Sequence, residues 1–205
     1  MNNVYTAIEE KIISGEYKAG EQITEMRLSG ELGVSRTPVR EALAMLEKDG
    51  LVELIPNKGA VVRGISKSDL VDIYAIRGRL EGLCASMCAE RITDKGKKEL
   101  SEILDLSEFY LSKKDTEKLG DLDSRFHACI YENCGSRMLE KILSDLHRAV
   151  GAYRRRSLEN PERVEKSVSE HKKICNAIIG GDASLAEKLI SDHIAAALDN
   201  LLKIG

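Results

Sequence analysis

The sequence predicts a mainly α protein in two parts. Three observations carry this. Prolines are rare, only 3 in 205 residues, and aromatics make up 4% with no Trp, so Leu, Ile, Val and Ala must build the core. Long stretches after residue 66 repeat apolar residues at helical spacing. Short strand-like runs occur only near residues 51–65. The expected architecture is a winged helix-turn-helix head over residues 1–65 and an antiparallel all-helical bundle of six helices over residues 66–205.

In VYTAIEEKIIS (4–14), Val4, Ile8 and Ile12 recur at helical spacing. GEYKAGEQ (15–22) carries two glycines and ends that helix. Thr24 is placed to cap a short helix, EMRLSGEL (25–32), which Gly33 closes. Ser35 is placed to cap the next helix, which runs to about Lys48 and stops at Asp49-Gly50. Pro38 falls in its first turn, where a missing N–H costs little. LVELI (51–55) and GAVVRGI (59–65), joined by PNK, read as a hairpin. Two helices joined by a three-residue turn, with a hairpin behind them, have the layout of a winged helix-turn-helix.

Six helices are expected in the rest of the chain: 67–92, 94–113, 115–134, 136–157, 161–180 and 182–203. Thr93-Asp94, Lys114-Asp115, Cys134-Gly135-Ser136, Asn160-Pro161 and Gly180-Gly181-Asp182 mark the breaks. Connections this short make neighbouring helices antiparallel.

The net charge of −3 gives no global field for nucleic acid or membrane. No apolar run follows a basic start, and none approaches the roughly 18 residues of a membrane span. The chain reads as cytoplasmic, without a membrane partner. Five cysteines, an odd number with no CxxC, read as small buried apolar residues. Cys175, four residues after His171, has thiolate ligation as a minor alternative.

VSRTPVREAL (34–43) offers two arginines and two hydroxyls before its first acid, Glu41. A recognition helix needs short donors and Arg near its N-terminus, where it meets phosphates and base edges. Arg contacts guanine bidentately, worth about 1–3 kcal/mol of discrimination. Ala42, Leu43 and Leu46 fall on the opposite, core-facing stripe. Residues 1–64 nevertheless hold 8 Lys/Arg against 10 Asp/Glu, a net of −2. DNA binding must then rest on Arg27, Arg36, Arg40 and Lys58 locally, with two copies offsetting the weak field. From spacing alone, a three-helix module for protein contacts stays open.

LSGELGVSRTPVREALAMLEKDGLVELIPNKGAVV (28–62) closely resembles the winged helix-turn-helix of the GntR family of bacterial transcription regulators. The resemblance implies operator contacts from Arg27, Ser35, Arg36, Thr37 and Arg40. It also implies that Gly59 in the wing lets the backbone approach the minor groove. Ser29-Gly30 departs from the family pattern, and Gly30 softens its helix by up to about 1 kcal/mol.

Asp123 and His127, in DSRFH, leave one face of a helix. His171 lies nine residues before Gly180 and His193 eleven after Asp182, roughly 14 and 17 Å from that turn along antiparallel helices. The two imidazoles then sit at similar height. Three imidazoles and a carboxylate suit a divalent transition metal such as zinc, nickel or manganese. Spacing alone leaves open that these are separate polar residues. His147 reads as structural or surface.

DLDSRFHACIY (121–131) and SEHKKICNAIIGGDASLAEKLISDHI (169–194) resemble signatures of the FCD ligand-binding domain, which follows GntR-type heads in the FadR-like subfamily. That resemblance implies Asp123, His127, His171 and His193 as four metal ligands. Six bundle helices look more like the VanR-type branch than the acyl-CoA-sensing one. DIYAIRGRLEGLCA (72–85) resembles the family's first bundle helix, where the residue matching Arg77 pairs with a ligand carboxylate. Otherwise Arg77 pairs with Glu81 on the surface, a few tenths of a kcal/mol. Of the arginines in YRRRS (153–157), at most one faces a cavity, because successive residues diverge by about 100°.

The expected function is a ligand-responsive regulator. A homodimer reads palindromic operator DNA, while the bundle holds a metal and a small organic acid. One alternative is a regulator in which the metal itself is the signal. A metal-dependent enzyme is less favoured: no HExxH and no di-iron ExxH pair occurs.

Overall fold

The computed structural model describes residues 2–56, 58–63, 67–157 and 160–204. The chain divides into two compact units, Met1–Leu70 and Val71–Gly205, each with its own apolar core.

The N-terminal unit contains α1 (Asn2–Ile13), β1 (Gln22–Ile23), α2 (Glu25–Leu32), α3 (Arg36–Lys48), β2 (Val52–Ile55) and β3 (Gly59–Val62). Ile8, Leu28, Val39, Leu43, Leu46 and Val62 are buried together, so α3 turns its apolar stripe inward and leaves Arg36, Thr37 and Arg40 exposed. Thr24 caps α2 by accepting from the Arg27 N–H at 3.2 Å. Gly33 closes α2 in the left-handed region at φ 65°. Ser29, the departure from the family pattern, donates its hydroxyl to the Val34 carbonyl and ties α2 to the turn.

The hairpin pairs β2 with β3, Val52 opposite Val62 and Ile55 opposite Gly59. It is not alone. β1 pairs with the other edge of β3, giving a three-stranded antiparallel sheet in the order β1-β3-β2. Two residues are too few to show a strand pattern in sequence. Asn57 at the turn, and Gly64 and Ile65 at the end of the expected second strand, lie outside the described residues.

The C-terminal unit is helical: α4 (Lys67–Arg91), α5 (Asp94–Lys113), α6 (Thr116–Asn133), α7 (Arg137–Ala149), α8 (Gly151–Ser157), α9 (Pro161–Ile179) and α10 (Ala183–Ile204). The expected breaks are made as caps. Thr93 accepts from Gly96 N–H, Asp115 from Lys118 N–H and Asn160 from Glu162 N–H. The helix expected over 136–157 is interrupted at Val150, at φ −97° and ψ 11°. Hydrogen bonds from Val150 N–H to Leu146 and from Arg154 N–H to Val150 keep α7 and α8 continuous across the kink. A β-branched residue followed by glycine is a weak point in a helix. Seven helical segments among the described residues thus fill the six expected helical spans, α7 and α8 sharing one.

The bundle core joins Leu100, Ile103, Phe126, Ile130, Ile178 and Ile190, with all five cysteines free and buried. Cys175 belongs to this core rather than to the histidine cluster. The backbones of α4 and α10 approach closely. Ser191 Oγ donates to the Gly78 carbonyl at 3.0 Å, and a Cβ on Gly82 would meet Ser191 Oγ at 2.6 Å. That approach brings the faces bearing Arg77, Glu81 and His193 together. Among the described residues no helix is long and apolar enough to cross a membrane.

Candidate metal centre and nucleic-acid surface

Asp123 and His127 lie one turn apart on α6, His171 on α9 and His193 on α10. Each offers one donor atom, and the four atoms lie within 4.8 Å of one another. His171 Nε2 and His193 Nε2 are 3.3 Å apart, and His171 Nε2 is 3.7 Å from Asp123 Oδ1. Two nitrogens bound at about 2.0–2.1 Å to one ion at tetrahedral or octahedral angles lie roughly 2.8–3.4 Å apart. The three imidazoles are buried, so their bare nitrogens have little water to turn to.

Two histidines are oriented by carboxylates. His127 Nδ1 is 2.8 Å from Glu81 Oε2, and His193 Nδ1 is 2.7 Å from Glu170 Oε2. A carboxylate only accepts, so each Nδ1 carries the proton and each Nε2 presents its lone pair. Carboxylate–histidine pairs of this kind set ligand orientation at metal sites. Phe126 stacks on His171 with centroids 4.1 Å apart and holds that ring flat. The donor set and its supports fit a divalent transition metal.

The local charges follow from burial and pairing. Burial, then the neighbouring His193, holds His171 well below the ordinary histidine range. His193 is also lowered by burial, with Glu170 opposing. Burial alone would raise the Asp123 carboxyl, but Arg154 ahead of the histidines holds it well below its usual value. Glu81 behaves likewise: burial raises it, while Arg77 and then His127 keep it ionised. The His171 and His193 imidazoles are therefore neutral and the Asp123 and Glu81 carboxylates charged at neutral pH, the states a metal requires.

Beside these donors is a small, partly open cleft. Arg77, Arg154 and Arg163 line it together with Asp123, His127 and His193. Arg77 does pair with Glu81, at 2.7 Å, but the pair is buried at 1% and 0% exposure rather than lying on the surface. Among the described residues, the buried Arg77 Nη1 and Tyr74 hydroxyl have no hydrogen-bond partner, and both residues line the cleft. Orphaned buried donors are costly and call for a ligand or water acceptor.

Of the arginines in 153–157, Arg154 enters the cleft. It bonds both Asp123 and His147. The side chains of Arg155 and Arg156 lie outside the described residues. His147, read from sequence as structural or surface, has its ring centroid 5.2 Å from that of His127 and borders the cluster. The sequence assigned no role to Glu170 or Arg163, and left open which of the three arginines at 154–156 turns inward. Glu170 directly precedes His171, yet it serves the other helix's histidine.

In the N-terminal unit, α3 presents Arg36, Thr37 and Arg40 to solvent, with Ser35 exposed at its N-cap. The Ser35 hydroxyl makes no capping bond, contrary to expectation, and leaves first-turn N–H groups of α3 without it. Arg40 donates from Nε and Nη2 to the two oxygens of Glu25, at 2.7 and 2.6 Å. Arg27 is held between Glu21 and Glu31, each at 2.7 Å. Among the described residues Arg36 makes no ion pair. Four of the unit's acids, Glu21, Glu25, Glu31 and Glu53, thus sit against its arginines. Lys58 is exposed at the hairpin turn, its carbonyl accepting from Gln22 Nε2 at 2.7 Å. Gly59 has φ 92°, and a Cβ there would meet the Ile23 carbonyl oxygen at 2.3 Å. The β1 strand therefore imposes glycine at this position without any reference to DNA.

Residues 1–62 match the family model described as bacterial regulatory proteins, gntR family, and residues 72–196 match the FCD domain. The chain is 26% identical over 198 residues to the HTH-type transcriptional repressor GlaR of Escherichia coli, covering 93% of this chain and 90% of that one. It is 28% identical over 188 residues to the gluconate operon transcriptional repressor of Bacillus licheniformis, covering 89% and 77%. The fold is shared with the solved structure of Escherichia coli McbR/YncC, at a TM-score of 0.82, 22% identity and coverage of 99% and 97%. With its gntR-type head and its FCD domain, the chain belongs to the GntR family and is a DNA-binding transcription regulator.

Proposed function

We propose that this regulator is a homodimer that represses from a palindromic operator in the cytoplasm and responds to a small organic acid. Residues 1–65 form the DNA-binding domain, and residues 66–205 bind metal and effector. Arg36, Arg40, Arg27, Thr37 and Ser35 meet DNA through α3 and its surroundings, with Lys58 and Gly59 at the wing. Asp123, His127, His171 and His193 hold a divalent metal, whether zinc, nickel or manganese. When bound, the ion supplies a Lewis-acidic partner for a carboxylate. Arg77 offers its free Nη1 to the same acid, with the Tyr74 hydroxyl as a second donor.

The observation that carries this reading is the convergence of four donors beside two orphaned ones. A cleft that pairs a metal-type ligand set with unpartnered cationic and hydroxyl donors is complementary to a small anion. Effector binding shifts the protein only by its differential affinity for two states. Occupancy of the cleft is then expected to alter the spacing of the two recognition helices in the dimer.

Native mass spectrometry with elemental analysis of the purified full-length protein tests the reading. One metal per chain is expected, in a dimer, with loss of the ion in His171→Ala. Unchanged metal content in that variant would remove the four-ligand site. Duplex release by added metal alone, with no organic acid present, would make the ion itself the signal.

A further inference from the structure

The Arg40–Glu25 contact has a definite geometry. Glu25 occupies the Nε–Nη2 edge of the guanidinium with both carboxylate oxygens. Arg40 remains 68% exposed along its side chain, whereas Glu25 is 27% exposed. Five N–H donors radiate from a guanidinium in a fixed plane. With the side edge taken, the end edge formed by Nη1 and Nη2 is the one left open to a further partner. That edge presents two parallel donors, the fork that matches the O6 and N7 acceptors of guanine.

Glu25 is itself well fixed. It is the first residue of α2, directly after the Thr24 cap. A carboxylate in a first turn is favoured by the helix dipole. The pair therefore joins the start of α2 to the exposed face of α3 and removes rotamers from a long flexible side chain.

A bidentate ion pair also removes net charge. An unpaired arginine on this face would attract any phosphate backbone, whatever its sequence. Glu25 weakens that indiscriminate attraction while leaving the end-on donors available. We propose that Glu25 is a specificity-determining positioning residue, aiming Arg40 end-on at a base and suppressing its attraction to DNA of any sequence. The inference rests on the assignment of Arg40 to the DNA-reading face.

The test uses the full-length protein and duplexes selected by it from a randomised pool, with a scrambled duplex as control. Single-base variants of the selected duplex define the profile of wild type, Glu25→Gln, Arg40→Ala and the double variant. Glu25→Gln is expected to bind the scrambled duplex more tightly and to show a steeper salt dependence, by about one phosphate contact per subunit. Its preference at one base pair per half-site is expected to fall by about fivefold or more. In the Arg40→Ala background, Glu25→Gln is expected to leave that preference unchanged. A Glu25→Gln profile identical to wild type overturns the inference, as does an equal loss of affinity for every duplex that persists without Arg40. An Arg40→Ala profile identical to wild type overturns the placement of Arg40 itself, which is a separate failure.

Discussion

Glu170 and His193 sit on neighbouring helices, and the Glu170 Oε2 lies 2.7 Å from the His193 Nδ1. The same carboxylate oxygen accepts from Arg163 at 2.8 Å. This contact fixes which imidazole nitrogen faces Asp123, His127 and His171. Glu170→Ala is expected to leave the helical fold intact and to weaken metal binding by about 10- to 100-fold. Chelator competition followed by elemental analysis measures this. Metal affinity equal to wild type would reduce Glu170 to a surface partner of Arg163.

A pH dependence follows from the buried histidines. Burial lowers His147, His171 and His193, with neighbouring charges adding to it for His147 and His171. An unfolded chain takes up protons on these groups near about 6.5, while the folded chain resists. The unfolded state therefore binds more protons below that pH, and stability falls as the solution is acidified. The metal-stripped protein is expected to lose thermal stability steadily between about pH 7 and 5. The depressed Asp123 contributes its own loss only below the ordinary carboxylate range. A melting temperature flat across that window would contradict the neutral, buried state of His147, His171 and His193.

Arg36 and Lys58 should separate base reading from phosphate attraction. Arg36 is exposed at the start of α3 and makes no ion pair among the described residues. Arg36→Ala is expected to lower affinity for a selected duplex by about 5- to 150-fold, corresponding to about 1–3 kcal/mol. Lys58→Ala is expected to weaken all duplexes alike and to reduce the salt slope by about 1 per subunit. Fluorescence anisotropy at several salt concentrations distinguishes the two. Identical behaviour of the two variants would contradict the division of labour.

Gly59→Ala tests why glycine stands in the wing. The added Cβ would collide with the backbone of β1, 2.3 Å from the Ile23 oxygen and 2.9 Å from Thr24 Cα, at a positive φ. Strain of this kind costs on the order of 1–3 kcal/mol. The N-terminal unit is expected to melt earlier in the absence of any DNA. A variant of wild-type stability that lost only duplex affinity would assign the glycine to DNA contact instead.

The sequence displayed what depends on periodicity and capping. The Thr24, Thr93, Asp115 and Asn160 caps are all made, because each precedes a helix at a spacing its side chain can bridge. The convergence of His171 and His193 was visible because two antiparallel helices joined by a tight turn equate distance along the chain with height. The kink at Val150 was hidden, since neither proline nor a polar cluster marks it. Arg154 was hidden for the same reason, as the kink sets where its helix points. The Glu81–His127 and Glu170–His193 contacts were hidden because each joins helices distant in sequence, and spacing carries no register between them. Arg40–Glu25 was invisible in a count of charges, which records an acid but not what it touches.

Glu81 holds Arg77 with one oxygen and His127 with the other, at 2.8 Å each, in complete burial. A guest anion seated on Arg77 and an ion seated on His127 would thus tug at opposite ends of a single rigid carboxylate. Thermodynamic reciprocity then demands that each guest change the other's dissociation constant by one common factor. Cooperation between two chemically unlike visitors would be written into one glutamate.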